Sequence, residues 1–257
     1  MIKIATWNVN SIKARLDGVK RWLGQARPSV LLMQEIKCQT EAFPTDEFTA
    51  LGYQSVACGQ KSYNGVAVLS DQPIEVELDH LPGDESDEQA RYLEVRTHGL
   101  RIASIYLPNG NPPDTDKYSY KLAWMERLQA HVAELLKHEE PFVLGGDYNV
   151  IPDPVDCHDP KVWANDALFR LETRRRFRTI LNLGVTEAYR SLNPRSRAYS
   201  FWDYQGGAWD SDHGIRIDHH LLSAQAADRL VSCSIDREPR GWKKASDHTP
   251  VICELSA

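Results

Sequence analysis

Short strand-like runs outnumber helical stretches along this 257-residue chain and do not alternate strictly with them. Residues 2–7 alternate in the manner of a strand, and Val30-Leu31-Leu32-Met33 is an apolar run of the kind buried on both faces. Further strands are predicted at 74–80, 91–97 and 100–107, and Phe142-Val143-Leu144 enters another that ends in Gly145-Gly146-Asp147. The last third predicts strands near 199–204, 215–222, 229–235 and 250–255. Between Tyr53 and Leu69 two strands are expected to join near Asn64-Gly65, because both residues tolerate a positive φ. Helical spacing is confined to three places. Ile12, Leu16, Val19 and Leu23 form one apolar stripe, closed by Pro28. Leu122, Met125, Leu128, Val132 and Leu135 form another between 116 and 138. A basic helix follows residue 170, with Phe177, Ile180 and Leu181 inward and Gly184 as its stop. Residues 152–168, rich in Pro and Asp, read as a long loop. A strand excess of this sort favours two packed sheets with helices outside over one doubly wound sheet.

The length suits one large domain spanning 1–257, without repeats or Gly/Ser linkers. No run approaches the ~20 apolar residues that a bilayer-spanning helix requires, and the N-terminus has no secretory apolar region. The five cysteines are odd in number and include no C-x-x-C pair, so a cytoplasmic protein without a disulfide framework or zinc-thiolate site is expected. Net charge is −6, which argues against a nonspecific coat for nucleic acid. Its distribution matters more. Between Arg170 and Arg197 eight arginines face two glutamates, and Arg237, Arg240, Lys243 and Lys244 form a second basic cluster. A localised basic face on an acidic protein suits a polyanion bound on one side, although a solvated helix surface has the same composition.

Polar residues recur where the predicted strands end. Asn8, Glu35, Tyr106, Asp147 and Asn149 follow apolar runs, Asp218 lies within one, and Asp247-His248 precedes the last. Aligned strand ends would gather these side chains into one acidic pocket. Carboxylate oxygens with few His or Cys ligands suit a hard cation, magnesium or manganese. Tyr106, Asn8, Asn149 and His248 could hold phosphate oxygens. With no G-x-S-x-G and no paired Cys and His outside the loop dipeptide Cys157-His158, direct attack of water on phosphorus is the simplest chemistry left. Taken singly, Asn8 and Asn149 would be read as turn residues. His219 and His220 are read as packing or surface residues, since neighbours on a strand point opposite ways.

Seven segments in register resemble the exonuclease III family of abasic-site repair nucleases. They are Thr6-Trp7-Asn8-Val9-Asn10, Leu32-Met33-Gln34-Glu35, Gly65-Val66-Ala67, Tyr106-Leu107-Pro108-Asn109-Gly110, Gly146-Asp147-Tyr148-Asn149, Arg216-Ile217-Asp218 and Ser246-Asp247-His248-Thr249-Pro250. The resemblance covers essentially the whole chain. It implies a DNase-like four-layer α/β sandwich, two packed mixed β-sheets flanked by helices. It implies Mg²⁺ (or Mn²⁺) held chiefly by Glu35, with Asn8, Asp147, Asn149 and Asp247 in or near the metal shell. Asp147 would accept a proton from the attacking water, though some accounts of the family make it a metal ligand or leaving-group acid. Asn149 would hold that water, Tyr106 and His248 would contact the phosphate, and Asp218 would orient His248. Some relatives carry an aspartate two positions after the first asparagine. Asn10 stands there in this chain, which makes the shell less anionic and bears on a second metal position rather than the first.

The same superfamily includes pancreatic DNase, sphingomyelinases and inositol-phosphate phosphatases, so the fold does not name the substrate. Tyr106 in its Tyr-x-Pro-Asn-Gly setting resembles the repair nucleases. By the same resemblance Phe201, Ile215 and Ile217 would line an apolar pocket for a flipped, base-less sugar, with Trp202 in the core. Arg174, Arg175 and Arg176 would lie along the phosphate backbone. The expectation is a monomer that incises double-stranded DNA 5′ to abasic sites and trims 3′ ends.

Overall fold

The computed structural model describes residues 1–257. Twelve strands build two six-stranded sheets. The first runs β11 (Leu230–Ile235), β12 (Val251–Leu255), β1 (Ile2–Asn8), β2 (Val30–Gln34), β4 (Val66–Ser70), β3 (Gln54–Cys58). The second runs β5 (Glu75–Leu78), β6 (Tyr92–Thr97), β7 (Leu100–Tyr106), β8 (Phe142–Asp147), β10 (Asp218–Leu222), β9 (Thr186–Glu187). Each sheet is antiparallel except for one parallel pair, β1 with β2 and β7 with β8.

Side-chain alternation on the central strands explains the layering. Val30 and Leu32 of β2 enter the core between the sheets, with Val143 of β8 and Leu222 of β10. Leu31 and Met33 face the other way, onto Ile12, Val19, Trp22 and Leu23 of helix α1 (Ile12–Ala26). Across the molecule, Phe142 and Leu144 pack on two of the outer helices. A short helix, α2 (Thr45–Thr49), precedes β3; α3 (Asp116–Lys137) supplies Trp124, Met125, Leu128, Val132 and Leu135 to this outer core. After α4 (Pro160–Trp163), α5 (Leu171–Leu181) adds Phe177 and Ile180. Helix–sheet–sheet–helix gives the four expected layers. Each fully buried Val, Leu or Phe contributes ~1.5–3 kcal/mol, so these clusters are the main source of stability. No helix is long and apolar enough to cross a membrane, and all five cysteines are free thiols.

Several expectations are corrected. Residues 199–204 form no strand. Only Phe201 makes bridges, to Ile215 and His248, because this segment crosses the end of the sandwich while both edges of β10 are taken by β8 and β9. The strand predicted from 215 begins at Asp218, since Arg216 N–H donates to Asp156 and Ile217 C=O accepts from Tyr148. β3 and β4 do pair, but through a seven-residue connection, with Asn64 and Gly65 (φ 53° and 85°) at its end rather than in a tight two-residue turn. The loop 152–168 contains a 3₁₀ turn (Pro154–Asp156) and α4. α5 ends at Leu181 with Asn182 as its C-cap, two residues before Gly184. His219 and His220 are packing residues, as expected, and both are fully buried, because helices cover one face of β10 and the other sheet covers its second.

The 152–168 loop is anchored by a buried ion cluster. Arg216, 1 % exposed, donates to Asp156 (2.8 Å) and Glu187 (2.8 Å), and Arg190 also pairs with Asp156. Burial alone would raise the Glu187 carboxyl; Arg216 and His219 reverse this and hold it down at about 2. Removing one partner from a buried pair leaves a bare charge and costs ~3–5 kcal/mol. Arg216→Met should therefore lose about that much unfolding free energy in a urea titration; a loss below about 1 kcal/mol would refute the assignment. Glu187 titrates lower folded than its ordinary value of 4.5, so its contribution is complete above that pH. It should disappear as pH falls from 4.5 toward 2, and Arg216→Met should flatten that acid limb.

Candidate active site

The two parallel strand pairs point their C-terminal ends the same way, and β10 and β12 begin at that end because they run antiparallel to β8 and β1. Asn8, Glu35, Tyr106, Asp147, Asp218, Asp247 and His248 are therefore carried to one end of the sandwich. Asp147 lies directly opposite Tyr106 on one side and Asp218 on the other. Asn8 reaches it from the facing sheet. The Asn8 amide nitrogen donates to Asp147 (2.9 Å) and to Glu35 (2.8 Å), while its oxygen accepts the Asn10 amide (3.0 Å).

Glu35 has a φ of 50° and Lys37 one of 52°. This unusual turn is held by Ile36 and Lys37 N–H bonds to the carbonyls of Gly65 and Asn64. A side chain at Gly65 would collide with Ile36, its Cβ lying 2.5 Å from Cγ1. The turn brings the Lys37 ammonium within 2.8 Å of Glu35 and 2.5 Å of the Asn10 side-chain oxygen. Asn10 in turn donates to Asp247 (3.1 Å). An aspartate at position 10 would oppose Asp247 with a second negative charge. Burial works to raise the Glu35 carboxyl, but Lys37 and the Asn8 bond leave it lowered.

His248 sits between two acids, with Nδ1 2.9 Å from Asp218 and Nε2 3.6 Å from Asp147. Ser200 fixes the outer acid by donating to Asp218 (2.6 Å). Burial opposes a charged ring, yet Asp218 and then Asp147 raise His248 to about 10. Burial pushes the Asp147 carboxyl up to about 7, with His248 acting against that shift. The shared proton belongs on the imidazole, which Asp218 touches more closely. Burial and the charges of Glu35 and Asp147 keep the Tyr106 phenol protonated.

Above this cluster lies a cavity of about 340 Å³. Glu35, Tyr106, Asp147, Asn149, Asp247 and His248 line its polar wall, and Phe201, Ile215 and Ile217 an apolar one. Phe201 packs edge-on to His248, with centroids 4.9 Å apart, and Trp202 is fully buried as expected. Asn8 and Asp218 stand behind the wall, both fully buried. Arg174, Arg175 and Arg176 do not share a face. Arg174 lies over Phe169, Arg175 is exposed, and Arg176 turns to Glu126 of α3. Of the second basic cluster, Arg237 pairs with Asp212 and Arg240 is buried against the Trp202 carbonyl, so only Lys243 and Lys244 remain free on the surface.

Some residues escaped the sequence reading. Lys37 carried a weak signal, a cation two places after Glu35. Asn109, whose amide donates to the Asn149 oxygen (2.9 Å), lay in a quoted motif without a role. Trp163 and Leu168 reach the cavity from the loop, and nothing local marked them. Lys121 is buried within α3 and donates to the main chain below the site; burial lowers it to about 7.

The donor set fits a hard divalent ion. Four carboxylates (Glu35, Asp147, Asp218, Asp247) meet one ammonium and one imidazolium, leaving two negative charges when all are ionised. Glu35 and Asp247 both border the cavity, and no thiolate competes. The Asn8 oxygen accepts one bond, from the Asn10 N–H, and its nitrogen bridges two of the acids, so it stands beside the donor set. In metal-free protein His248 should stay protonated well above pH 7. Asp218→Asn should lower its titration by about one to two pH units, followed by imidazole ¹⁵N shifts. A ring titrating near its ordinary 6.5 in both proteins would overturn this account.

The profile of the Endonuclease/Exonuclease/phosphatase family matches residues 5–248. Exodeoxyribonuclease III of Haemophilus influenzae is 30% identical over 269 residues, covering 99% of this chain and 100% of that protein. Among solved structures, an AP endonuclease from Archaeoglobus fulgidus superposes with a TM-score of 0.96 at 37% identity, with both chains covered in full. The 3′ phosphatase NExo from Neisseria, bound to a product DNA hairpin, superposes at 0.94 and 34% identity, again over all of both chains.

Proposed function

The chain belongs to the exodeoxyribonuclease III and AP endonuclease branch of the Endonuclease/Exonuclease/phosphatase family, and we propose that it is a magnesium-dependent DNA repair phosphodiesterase. It incises double-stranded DNA 5′ to abasic sites and removes 3′-terminal nucleotides or 3′-blocking groups. In each case water attacks phosphorus and the P–O3′ bond breaks, so one site serves all three. The observation that carries this reading is the convergence on Asp147, which Asn8, Tyr106, Asp218 and His248 approach from four different elements.

Asp147 takes the proton of the attacking water. Its carboxyl, raised to about 7, is available as a base at neutral pH, and such a group contributes roughly 10²–10⁴-fold. Asn149 holds the water, with its backbone N–H on Asp147 (2.9 Å) and its amide paired to Asn109. Tyr106 and the His248 imidazolium donate to the phosphate oxygens, and Asp218 keeps the ring in place. Glu35 and Asp247 would hold the magnesium ion (manganese suits the same oxygens), with Asn8, Asp147 and Asn149 close by. That ion supplies several kcal/mol of charge stabilisation to the transition state. Phe201, Ile215 and Ile217 provide an apolar seat for a deoxyribose without its base, a surface that a hydroxyl-covered inositol would not use.

Duplex DNA would reach the site along its basic rim. A groove of about 480 Å³ beside Ser246 is lined by Lys13, Arg15, Lys243 and Lys244, with Trp242 in its wall. Arg174 lies over Phe169, whose cluster also holds Ile215 and Ile217 of the cavity wall. Contacts of this kind position the backbone without reading sequence.

Glu35→Ala and Asp147→Ala should each cut cleavage of an abasic duplex by at least about 10²-fold while leaving the melting temperature within a few degrees. Three duplexes differing only in an abasic site, a 3′-phosphate nick or a plain recessed end, run beside an inositol phosphate, separate the activities. Turnover of the inositol phosphate alone would reject the DNA assignment. Replacing Arg174, Arg175 and Arg176 with Ala, or Lys243 and Lys244 with Ala, should weaken DNA binding. The slope of log affinity against log salt should shrink by about one for each phosphate that is no longer neutralised. A slope unchanged in both variants would place the DNA elsewhere.

A further inference from the structure

We propose that Lys121 is a positioning residue of this site: it ties the main-chain carbonyls of Asn109 and Asn149 together, so that their paired side-chain amides meet the substrate as one unit. The inference rests on the reading of the cavity as a phosphodiesterase centre.

Asn109 follows β7 and Asn149 follows β8. These strands are parallel neighbours, and just beyond their ladder the Leu107 N–H still donates to the Asp147 carbonyl. Beyond that point Lys121 joins the two chains. Its Nζ donates to the Asn149 carbonyl at 2.5 Å and to the Asn109 carbonyl at 3.0 Å. Above the same junction the Asn109 amide donates to the Asn149 side-chain oxygen at 2.9 Å. The two asparagines are thus stitched together twice, through their main chains by the lysine and through their side chains directly.

Asn149 needs such restraint. Its φ of 48° lies in the left-handed region, which asparagine tolerates better than most residues but in which its side chain is aimed only when the surrounding bonds fix it. Each of its polar groups is engaged. The N–H bonds Asp147, the amide nitrogen bonds Leu107 and the amide oxygen accepts from Asn109, which leaves the carbonyl to Lys121. The lysine stem is enclosed as well. A Cβ at Gly110, whose φ is 85°, would fall 2.6 Å from Lys121 Cδ. Lys121 is fully buried, and its partners are neutral carbonyls rather than a carboxylate. A buried lysine without an ion pair is an expensive way to fill space on a helix, where an apolar side chain would serve packing better. Its value lies in the two carbonyls it aims.

The test is a double-mutant cycle on the magnesium-loaded full chain with the best cleaved of the three duplexes. Lys121→Met keeps the stem and removes both bonds. It should lower kcat by about 10–100-fold with KM changed less than about threefold, since a small misplacement of catalytic groups costs rate rather than binding. In an Asn149→Ala background the same change should add less than about threefold, because the group that Lys121 holds is gone. Lys121→Gln, which can still donate to the carbonyls, should recover most of the loss; if Lys121→Met does not fold by circular dichroism, the cycle is run with Lys121→Leu, which likewise removes both bonds. A Lys121→Met enzyme as fast as wild type, or a loss that multiplies in full with that of Asn149→Ala, overturns the role of Lys121. A wild-type chain that cleaves none of the duplexes instead overturns the reading of the cavity.

Discussion

Asn8 stands fully buried at the end of β1 and donates one amide hydrogen to Glu35 of its own sheet and the other to Asp147 of the facing sheet. Two carboxylates brought this close inside a protein repel each other unless something between them carries positive potential. The amide does so without adding a charge of its own, and it links the two sheets at the site. The rest of the site is arranged around that bridge. Lys37 and Asn10 extend it through Glu35 toward Asp247, and His248 extends it through Asp147 toward Asp218 and Ser200.

Two buried charge clusters in the same protein show opposite designs. Around Arg216, the acids Asp156 and Glu187 are matched by Arg216 and Arg190, and the cluster is enclosed by the core. It holds a loop in place and has no need of a ligand. Around Asp147 the acids exceed the cations, and Glu35 and Asp247 open onto a cavity. An uncompensated negative pocket that faces solvent is suited to a divalent cation and to the phosphate that such a cation attracts. The stable cluster supports the reactive one: the loop anchored by Arg216 carries Trp163 and Leu168 to the cavity, and Ile217, next in sequence, lies in its wall.

Much of this arrangement was legible in the chain. The helices at 12–26, 116–137 and 171–181 and most strands followed from apolar periodicity, which depends on residues a few positions apart. The polar residues at the strand ends were visible as breaks in apolar runs, and the resemblance in seven segments grouped them. What escaped was what depends on the far side of a contact. Residues 199–204 have the composition of a strand but cross the end of the sandwich, where only Phe201 makes bridges. His219 and His220 are both buried because each face of β10 is covered, a fact about the neighbouring layers. The adjacent Arg174, Arg175 and Arg176 point in three directions because successive helix positions are turned about 100° apart.

The sequence by itself determined the succession of elements, the excess of strands that demands two sheets, and the chemical character of a site made of acids, amides, a phenol and an imidazole. Only the tertiary structure decided which of those groups touch. Asn8 and Asp147 are 139 positions apart and bond at 2.9 Å, and Lys121 reaches a carbonyl 28 positions away. Partnerships of this kind follow from how two sheets pack and from which strand ends coincide, and periodicity along one chain segment contains no record of either.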